Sequence, residues 1–242
     1  MTEGIWARDE VLVSLFDQAG LAGEQFRKLQ ARLRALKNAT GGSLTTIVVT
    51  SPLMGEGKTA CAANLAVALS GEPDRRVLLL DCDVRKPRVH AFLEQAPRRG
   101  LLDLLEGRCK FSEAVMTMPG GTLDVVTLPA PSAGNGARPH SLPIEQLKVL
   151  LGSLKKNYEF IICDSPPLLP TADAGALADI CDGTIMVIRA GATPRPAAAR
   201  ALASINKQKL IGFLLNGVLE SRMGSYYYKY YGEDERSRGK KR

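Results

Sequence analysis

A glycine-rich loop between a β-branched run and a helical segment constrains the fold of this chain more than any other feature. The run is Thr46-Ile47-Val48-Val49-Thr50, and the loop ends in Gly55-Glu56-Gly57-Lys58-Thr59. A P-loop reads G-x-x-x-x-G-K-[S/T] between a strand and a helix, where backbone N–H groups and the helix N-terminus face a phosphate. Pro52 replaces the first glycine, but Gly55 and Gly57 still let the backbone turn towards phosphates. The flanking strand and helix favour this interpretation over a glycine-rich turn with a chance lysine.

Apolar runs that fit buried strands alternate with helical segments along most of the chain. The predicted strands are 46–50, 77–80, 123–128, 160–163, 184–188 and 211–215, and the predicted helices are 58–70, 88–115, 144–155, 172–178 and 195–206. Continuously apolar strands that alternate with helices indicate a parallel sheet that is covered on both faces. We therefore predict an α/β fold of three layers, a mostly parallel sheet with helices on both faces, as in P-loop NTPases.

The chain is predicted to have three parts. Residues 1–42 form an N-terminal helical segment, helical from about Asp9 to Lys37 with a break at Gly20–Gly23, and residues 43–220 form the P-loop domain. The alternating pattern then stops, so residues 221–242 are predicted to be a flexible tail. This tail carries +4 of the formal net charge of +7, so the basicity concerns the partners of the tail more than the fold.

The composition argues against a membrane-spanning protein and against a zinc site. No run approaches the ~20 apolar residues that span a bilayer, and the N-terminus has no signal-peptide pattern, so a cytoplasmic location is expected. The five cysteines lack the spacing of zinc ligands, and we expect reduced thiols that are mostly buried.

Three aspartates follow predicted strands, at the edge of the sheet where the loop would lie. Asp81 and Asp83 follow the second strand, and Asp164 follows the fourth. Ligands of parallel sheets bind beyond the carboxyl ends of the strands. Lys58 would neutralise phosphate charge there, and Thr59 and a carboxylate would bind Mg²⁺. A single strand-end aspartate is commonly a turn former, but three of them beside one phosphate loop favour a nucleotide site.

Three motifs together resemble those of the bacterial tyrosine kinases that regulate capsular and exopolysaccharide synthesis. Residues 51–59 resemble their Walker A motif, a deviant form within the ParA/MinD-like superclass of P-loop NTPases. Leu78-Leu79-Leu80-Asp81-Cys82-Asp83-Val84-Arg85-Lys86-Pro87 resembles their Walker A′ motif, and Phe160-Ile161-Ile162-Cys163-Asp164-Ser165-Pro166-Pro167 resembles their Walker B motif. The resemblance covers roughly residues 24–231.

The resemblance implies an autokinase that uses ATP and Mg²⁺ and phosphorylates C-terminal tyrosines on a neighbouring subunit. The tyrosines are Tyr226, Tyr227, Tyr228, Tyr230 and Tyr231. The implied catalytic residues are Lys58, Asp81 and Asp83, the implied metal ligands are Thr59, Asp83 and Asp164, and the implied nucleotide contacts are Gly55, Glu56, Gly57, Lys58, Thr59 and Ala60. Asp81 is chosen as the carboxylate that receives the tyrosine proton, a role that it can exchange with Asp83.

Two further residues carry an open choice. Asn216 follows the last predicted strand and is either an adenine contact or a turn residue before Gly217. Arg189 lies at the predicted active edge, where it would either stabilise a transferring phosphate or be an ordinary surface arginine.

The same resemblance implies partners. The family forms ring-shaped oligomers through E-x-x-R-x-x-R in its N-terminal helix; Glu24 and Arg27 match this motif, while Gln30 replaces the second arginine. Gln30 cannot supply the charge of a salt bridge, so the ring size is left open, and an intrahelical pair is the plainer alternative. Other implied partners are a membrane activator of the polysaccharide co-polymerase type, which would recruit the kinase to the inner face of the membrane, and a cognate tyrosine phosphatase.

Two rival functions are weighed against the kinase. Partition- and septum-positioning ATPases carry a signature lysine in the loop, at the position that Leu53 occupies here. A non-catalytic regulator would be expected to have lost Lys58 or an aspartate. The basic, aromatic tail would also suit a membrane or nucleic-acid contact, but Glu233-Asp234-Glu235 weakens that interpretation, and we predict no nucleic-acid partner.

Overall fold

The computed structural model describes Leu12 and residues 20–72, 75–93, 98–128 and 141–218. Its strands are β1 Thr46–Thr50, β2 Val77–Asp81, β3 Met116–Thr117, β4 Leu123–Val126, β5 Phe160–Asp164, β6 Gly183–Arg189 and β7 Leu210–Asn216. Its α-helices are α1 Leu21–Ala39, α2 Lys58–Leu69, α3 Leu101–Leu105, α4 Phe111–Ala114, α5 Ile144–Leu154, α6 Ala172–Ile180 and α7 Arg195–Ala203, and short 3₁₀ helices cover Val89–Phe92 and Lys207–Lys209.

The strands form one sheet in the order β3-β4-β2-β5-β1-β6-β7. All neighbouring strands are parallel except β3, which runs antiparallel to β4 at one edge. The central strands β1, β2 and β5 are buried along their whole length, which explains why their sequences are apolar without alternation.

Two hydrophobic layers cover the two faces of the sheet. Ile47 and Val49 of β1 belong to the layer that includes residues of α1 and α2, whereas Val48 belongs to the layer that includes α5, α6 and α7. This alternation follows from the two-residue period of a strand. The three-layer, mostly parallel α/β fold that the sequence predicts is confirmed.

The prediction of one helical stretch over residues 88–115 is wrong. The chain instead forms the 3₁₀ helix Val89–Phe92, α3 and α4, with residues 94–97 outside the described part. Each short α-helix is closed by its own acidic residue: Asp103 accepts a hydrogen bond from the Gly100 amide (3.1 Å), and Glu113 accepts one from the Lys110 amide (2.7 Å). These caps satisfy N-terminal amides within one turn, so the helices can start and stop quickly.

The other predicted elements differ from the observed ones mainly at their ends. β4 ends at Val126 rather than at residue 128, α6 extends to Ile180, and α7 ends at Ala203. The two-residue strand β3 was not predicted at all.

The N-terminal helix packs on the P-loop domain. α1 begins at Leu21, after Gly20, close to the predicted break, and the predicted helical residues 9–11 and 13–19 lie outside the described part. Leu33 of α1 is buried in the core, and Lys37 donates hydrogen bonds to the main-chain oxygens of Leu44 (2.9 Å) and Glu159 (2.7 Å). α1 is therefore tied to the amino-terminal ends of β1 and β5.

The described residues bear on two expectations from composition, which concern membrane-spanning helices and the cysteines. Within the described residues, no helix is both long enough and apolar enough to cross a bilayer. The five cysteines are free thiols, and four of them are buried, as predicted.

Candidate active site

The phosphate loop connects β1 to α2 and contains two glycines with left-handed backbone conformations. Gly55 has φ 78° and Gly57 has φ 89°. Gly57 also precedes the first turn of α2, and a Cβ atom built on it would lie 2.0 Å from the Asn216 side-chain nitrogen. Position 57 therefore needs glycine for two reasons: its conformation and the close approach of Asn216.

Glu56 braces the loop from within. Its side chain is buried, and its carboxylate accepts hydrogen bonds from the Leu53 amide (2.9 Å) and from the Thr193 hydroxyl (2.5 Å). Arg189 donates to the main-chain oxygen of Gly55 (3.0 Å). The carboxylate of Glu56 is thus engaged by the protein, and only its main chain is left to face a phosphate.

Asn216, at the end of β7, contacts the loop directly. Its amide nitrogen donates a hydrogen bond to the main-chain oxygen of Glu56 (2.9 Å). This bond gives Asn216 a role as a support of the loop. The contact with adenine stays a prediction. Thr193 was missed in the sequence; the available signal was its place just beyond the carboxyl end of β6, at the same edge of the sheet.

Lys58 and Asp83 meet in the cleft beside the loop. The Lys58 ammonium lies 3.3 Å from a carboxylate oxygen of Asp83, and both side chains are largely buried. The other carboxylate oxygen of Asp83 accepts a hydrogen bond from the Lys86 amide (3.0 Å). The carboxylate is therefore fixed by the turn that follows β2 and is paired with the loop lysine.

Asp164 ends β5 and is fully buried. Neither of its carboxylate oxygens has a hydrogen-bond partner among the described residues. Burial and the nearby Asp81 raise the pKa of Asp164 well above its ordinary value, although Lys58 and the Thr59 hydroxyl, which is near the carboxylate but outside hydrogen-bond geometry, act in the opposite direction. A buried carboxylate without donors is costly unless a cation or water completes it, so the residues present fit a magnesium ion.

Asp81 occupies a different environment from Asp83. It is fully buried, and its carboxylate accepts hydrogen bonds from the amides of Asp83 (3.2 Å), Arg88 (3.2 Å) and Val89 (3.1 Å) and from the Thr127 hydroxyl (3.2 Å). Burial, with a smaller contribution from the charge of Asp83, raises the pKa of Asp81 to about 6, although the hydrogen bonds from the Val89 and Asp83 amides and the Thr127 hydroxyl oppose the shift. In this structure Asp81 organises the turn after β2, whereas Asp83 lines the cleft.

The cleft has a volume of about 540 Å³ and opens at the carboxyl edge of the sheet. It is lined by Lys58 and Thr59 of α2 and by Arg85, Lys86 and Arg88, three exposed cations of the turn after β2. Ala60 follows in the first turn of α2 and is half-buried. Of the predicted site residues, Gly55, Gly57, Lys58, Thr59 and Asp83 line this cleft, whereas Asp81 and Asp164 are buried at the ends of β2 and β5.

The other predicted site residues are the tail tyrosines and two residues of α1. The tyrosines at 226, 227, 228, 230 and 231 are outside the described residues. Glu24 and Arg27 lie on α1, where the Arg27 Nε donates to the Glu24 carboxylate (3.0 Å). The plainer alternative, an intrahelical pair, is therefore present, and the role of these residues in an oligomer stays a prediction.

Comparison with known proteins gives matches over most of the chain. Residues 44–207 match a family model described as an AAA domain. The chain is 33% identical over 221 residues to the tyrosine-protein kinase YwqD of Bacillus subtilis, covering 90% of each chain. It is 29% identical to the succinoglycan biosynthesis transport protein ExoP of Rhizobium meliloti, of which it spans only 28%.

Solved structures support the same fold. The crystal structure of the chimerical protein CapA2B2 superposes with a TM-score of 0.73 at 25% identity and covers 87% of this chain and 91% of its own. A ParA family ATPase from Chlorobium tepidum superposes with a TM-score of 0.58 at 22% identity, covers 71% of this chain and 73% of its own, and shows the fold alone.

These matches agree with the geometry of the cleft. A P-loop, a second strand-end carboxylate motif and a third strand-end aspartate converge at one edge of a nucleotide-binding fold. This chain belongs to the family of bacterial tyrosine kinases of capsular and exopolysaccharide biosynthesis.

Proposed function

We propose that this chain is an ATP-dependent protein-tyrosine kinase that phosphorylates the C-terminal tyrosines of a neighbouring copy. One observation carries the proposal: the phosphate loop and the Lys58–Asp83 pair line one cleft, and the buried carboxylate of Asp164 lies within electrostatic reach of Lys58. A lysine that neutralises phosphate charge beside two carboxylates that suit a metal is what phosphoryl transfer requires.

Thr59, Asp83 and Asp164 would hold Mg²⁺. When bound, the ion would neutralise charge on the β- and γ-phosphate oxygens. Mg²⁺ usually takes one or two protein carboxylates and completes its octahedron with phosphate oxygens and water. The absence of a preformed cluster of three or more His, Cys, Asp or Glu ligands among the described residues is compatible with that mode of binding.

Transfer would follow from positioning. The tyrosine oxygen would form a bond to the γ-phosphorus as the bond between that phosphorus and the bridging oxygen of ADP breaks. The phenolic proton would pass to Asp81, or to Asp83 if the two carboxylates exchange roles; of the two, Asp83 lines the cleft. Lys58 would stabilise the charge that develops on the phosphates, so alignment and electrostatics account for most of the rate.

The acceptor and partners are part of the proposal. Tyr226, Tyr227, Tyr228, Tyr230 and Tyr231 would receive the phosphoryl groups in trans, within a homo-oligomer. A membrane activator of the polysaccharide co-polymerase type would recruit the kinase to the inner face of the membrane, and a tyrosine phosphatase would reverse the modification. Phosphorylation would then regulate the synthesis or export of a polysaccharide; the names of the relatives support this assignment.

A regulatory ATPase of the ParA/MinD type is the second candidate, because such ATPases share the fold. The two candidates differ in the destination of the γ-phosphoryl group, which is water for a switch ATPase and tyrosine for a kinase. Leu53 in place of the signature lysine favours the kinase.

The test is incubation of the chain with ATP and Mg²⁺, with and without a peptide from the cytoplasmic end of a candidate activator. Intact mass and peptide mapping should show phosphate on the tail of the wild type and none in Lys58→Met, while Lys148→Met, on the exposed face of α5, should behave as the wild type. A tagged Lys58→Met copy should be labelled by an active copy. Hydrolysis of ATP with no mass added to the tail would replace this proposal with the ATPase function.

A further inference from the structure

We propose that Arg85, Lys86 and Arg88 form a docking site for the acidic run Glu233-Asp234-Glu235 of a second copy of this chain. We call these three cations the basic lip. The inference rests on the proposed function and deepens it, because it assigns the residues that select the tyrosines of the tail.

The cations of the basic lip have no acidic partner among the described residues. All three side chains are exposed, all three line the cleft, and none forms an ion pair within the described part of the chain. Elsewhere arginines near acidic residues are paired, as Arg34, Arg75 and Arg76 are. Three like charges within four residues repel one another, so this arrangement favours an acidic ligand.

The backbone of the basic lip is held by the acidic residues that precede it. The Lys86 amide donates to Asp83 (3.0 Å), and the Arg88 amide donates to Asp81 (3.2 Å). The cations are therefore presented from a fixed turn, two to five residues beyond Asp83. A ligand bound at the basic lip would therefore be held at a defined position relative to the Asp83 carboxylate.

The triphosphate has its own partners on the other side. Lys58 and the loop amides serve the phosphates, and the loop is braced by Arg189, Thr193 and Asn216 from β6 and β7. The basic lip follows β2, which is separated from β1 by β5 and so lies about 10 Å from it. It therefore borders the side of the cleft from which an acceptor would approach.

The tail supplies the complementary charge at a suitable spacing. Glu233 follows Tyr231 by two residues, roughly 7 Å of extended chain, and follows Tyr226 by seven residues, roughly 25 Å. With the acidic run at the lip, Tyr230 and Tyr231 would reach the region of Asp83. Tyr226 is tethered through a longer stretch of chain, which lowers its effective concentration near Asp83, so the order of phosphorylation should begin at Tyr231 and Tyr230.

The test uses a wild-type or variant kinase as donor and a tagged, full-length Lys58→Met chain as acceptor. The donor variant Arg85→Glu/Lys86→Glu/Arg88→Glu should phosphorylate the acceptor with a kcat/KM about tenfold lower at low ionic strength, mainly through KM, and the deficit should shrink in salt. The acceptor variant Glu233→Lys/Asp234→Lys/Glu235→Lys should show a similar loss. Combining the two variants should restore most of the rate, which a merely structural defect would not do.

The matched control is the donor Lys148→Glu/Lys156→Glu/Lys207→Glu, which changes the net charge equally at three exposed lysines that do not line the cleft. It should retain the rate of the wild type. The affinity of the lip variant for ATP should also be unchanged when a fluorescent ATP analogue is titrated.

Each other outcome has a definite meaning. Equal rates for the lip variant and its control, or a lip variant that loses affinity for ATP, would overturn the inference while the proposed kinase function stands. Failure of the charge-swapped pair to recover would also overturn it. Absence of phosphate on every tail tyrosine of the wild-type pair would overturn the proposed function and this inference together.

Discussion

Gly57 and Asn216 share a space that admits no larger residue at position 57. Gly57 provides the left-handed turn before α2, and the Asn216 amide fills the volume where a side chain would stand. β7, the last strand among the described residues, is thereby in direct contact with the loop that would hold the phosphates. An experiment can therefore distinguish whether Asn216 supports the loop or recognises the base.

Asn216→Ala is expected to weaken nucleotide binding about two- to tenfold, because it removes one hydrogen bond worth about 0.5–1.5 kcal/mol from the loop. If Asn216 only supports the loop, titration calorimetry should show ATP and GTP weakened alike. A loss confined to ATP would instead assign the amide to the adenine base. Asn206→Ala, in an exposed turn before β7, is the control and should leave both affinities unchanged.

The sequence allowed the residues of the site to be named, but not their individual tasks. Strand-end positions identify Asp81, Asp83 and Asp164 because the carboxyl ends of parallel strands meet at one edge. The separation of Asp81 from the cleft depends on which amides the next turn offers to each carboxylate, and this is not encoded by spacing. Thr193 was missed because its residue type carries no motif, and only its place beyond the carboxyl end of β6 points to the site.

At the scale of elements, the strands that the sequence predicts best are those that are buried on both faces of the sheet. β1, β2 and β5 are covered on both faces, so an uninterrupted apolar run identifies them. The stretch 88–115 was mispredicted because its helical residues are divided by Gly100 and Gly107 into short pieces, each with its own cap. Two-residue β3 is too short to leave a periodic signal.

Asp182 joins three elements at the opposite edge of the sheet. Its carboxylate accepts hydrogen bonds from the amides of Thr45 (3.0 Å), just before β1, and of Thr46 (2.8 Å), the first residue of β1, and from the Lys155 ammonium after α5 (2.6 Å). Burial would raise the pKa of Asp182, but the hydrogen bonds from Lys155 and from Thr46 and Thr45 outweigh it and lower the pKa. Its contribution to stability is therefore fully present above the unfolded pKa and is lost as the pH falls through the lower folded pKa.

Asp182→Asn is expected to lower the free energy of unfolding by about 1–3 kcal/mol at pH 7, because it removes the charge from several hydrogen bonds. The difference from the wild type should diminish below about pH 4, where Asp182 begins to protonate in the unfolded chain, and should vanish as the pH falls through the lower folded pKa. Urea unfolding at pH 7 and at lower pH values measures this. Asp179→Asn, on the exposed side of α6, should be neutral, and an equal loss at every pH would contradict the electrostatic explanation.

At the scale of the whole molecule, α1 has both a packing role and a proposed assembly role. Phe26 and Leu29 pack against the core, while Arg27 points to the exposed side and pairs with Glu24. A surface i,i+3 pair contributes only about 0.2–0.5 kcal/mol to a helix. Loss of Arg27 should therefore have almost no effect on the fold, so any large effect would come from contacts between copies.

Arg27→Ala is expected to reduce the oligomer mass in analytical ultracentrifugation and to slow phosphorylation of a tagged Lys58→Met copy, with a change of less than about 0.5 kcal/mol in unfolding free energy. Arg32→Ala, on the same helix and without an ion pair among the described residues, should leave assembly intact. Unchanged mass and rate in Arg27→Ala would confine Arg27 to its bond with Glu24.

The Lys58–Asp83 pair sets an order on events in the cleft. The Lys58 ammonium can pair either with Asp83, as it does in this structure, or with the phosphates of a bound nucleotide. A triphosphate that attracts the Lys58 ammonium also releases the Asp83 carboxylate. Nucleotide binding and the freeing of this carboxylate are therefore coupled. We therefore expect the Lys58 ammonium to exchange Asp83 for the phosphates of a bound nucleotide, which would free the Asp83 carboxylate when the nucleotide is present.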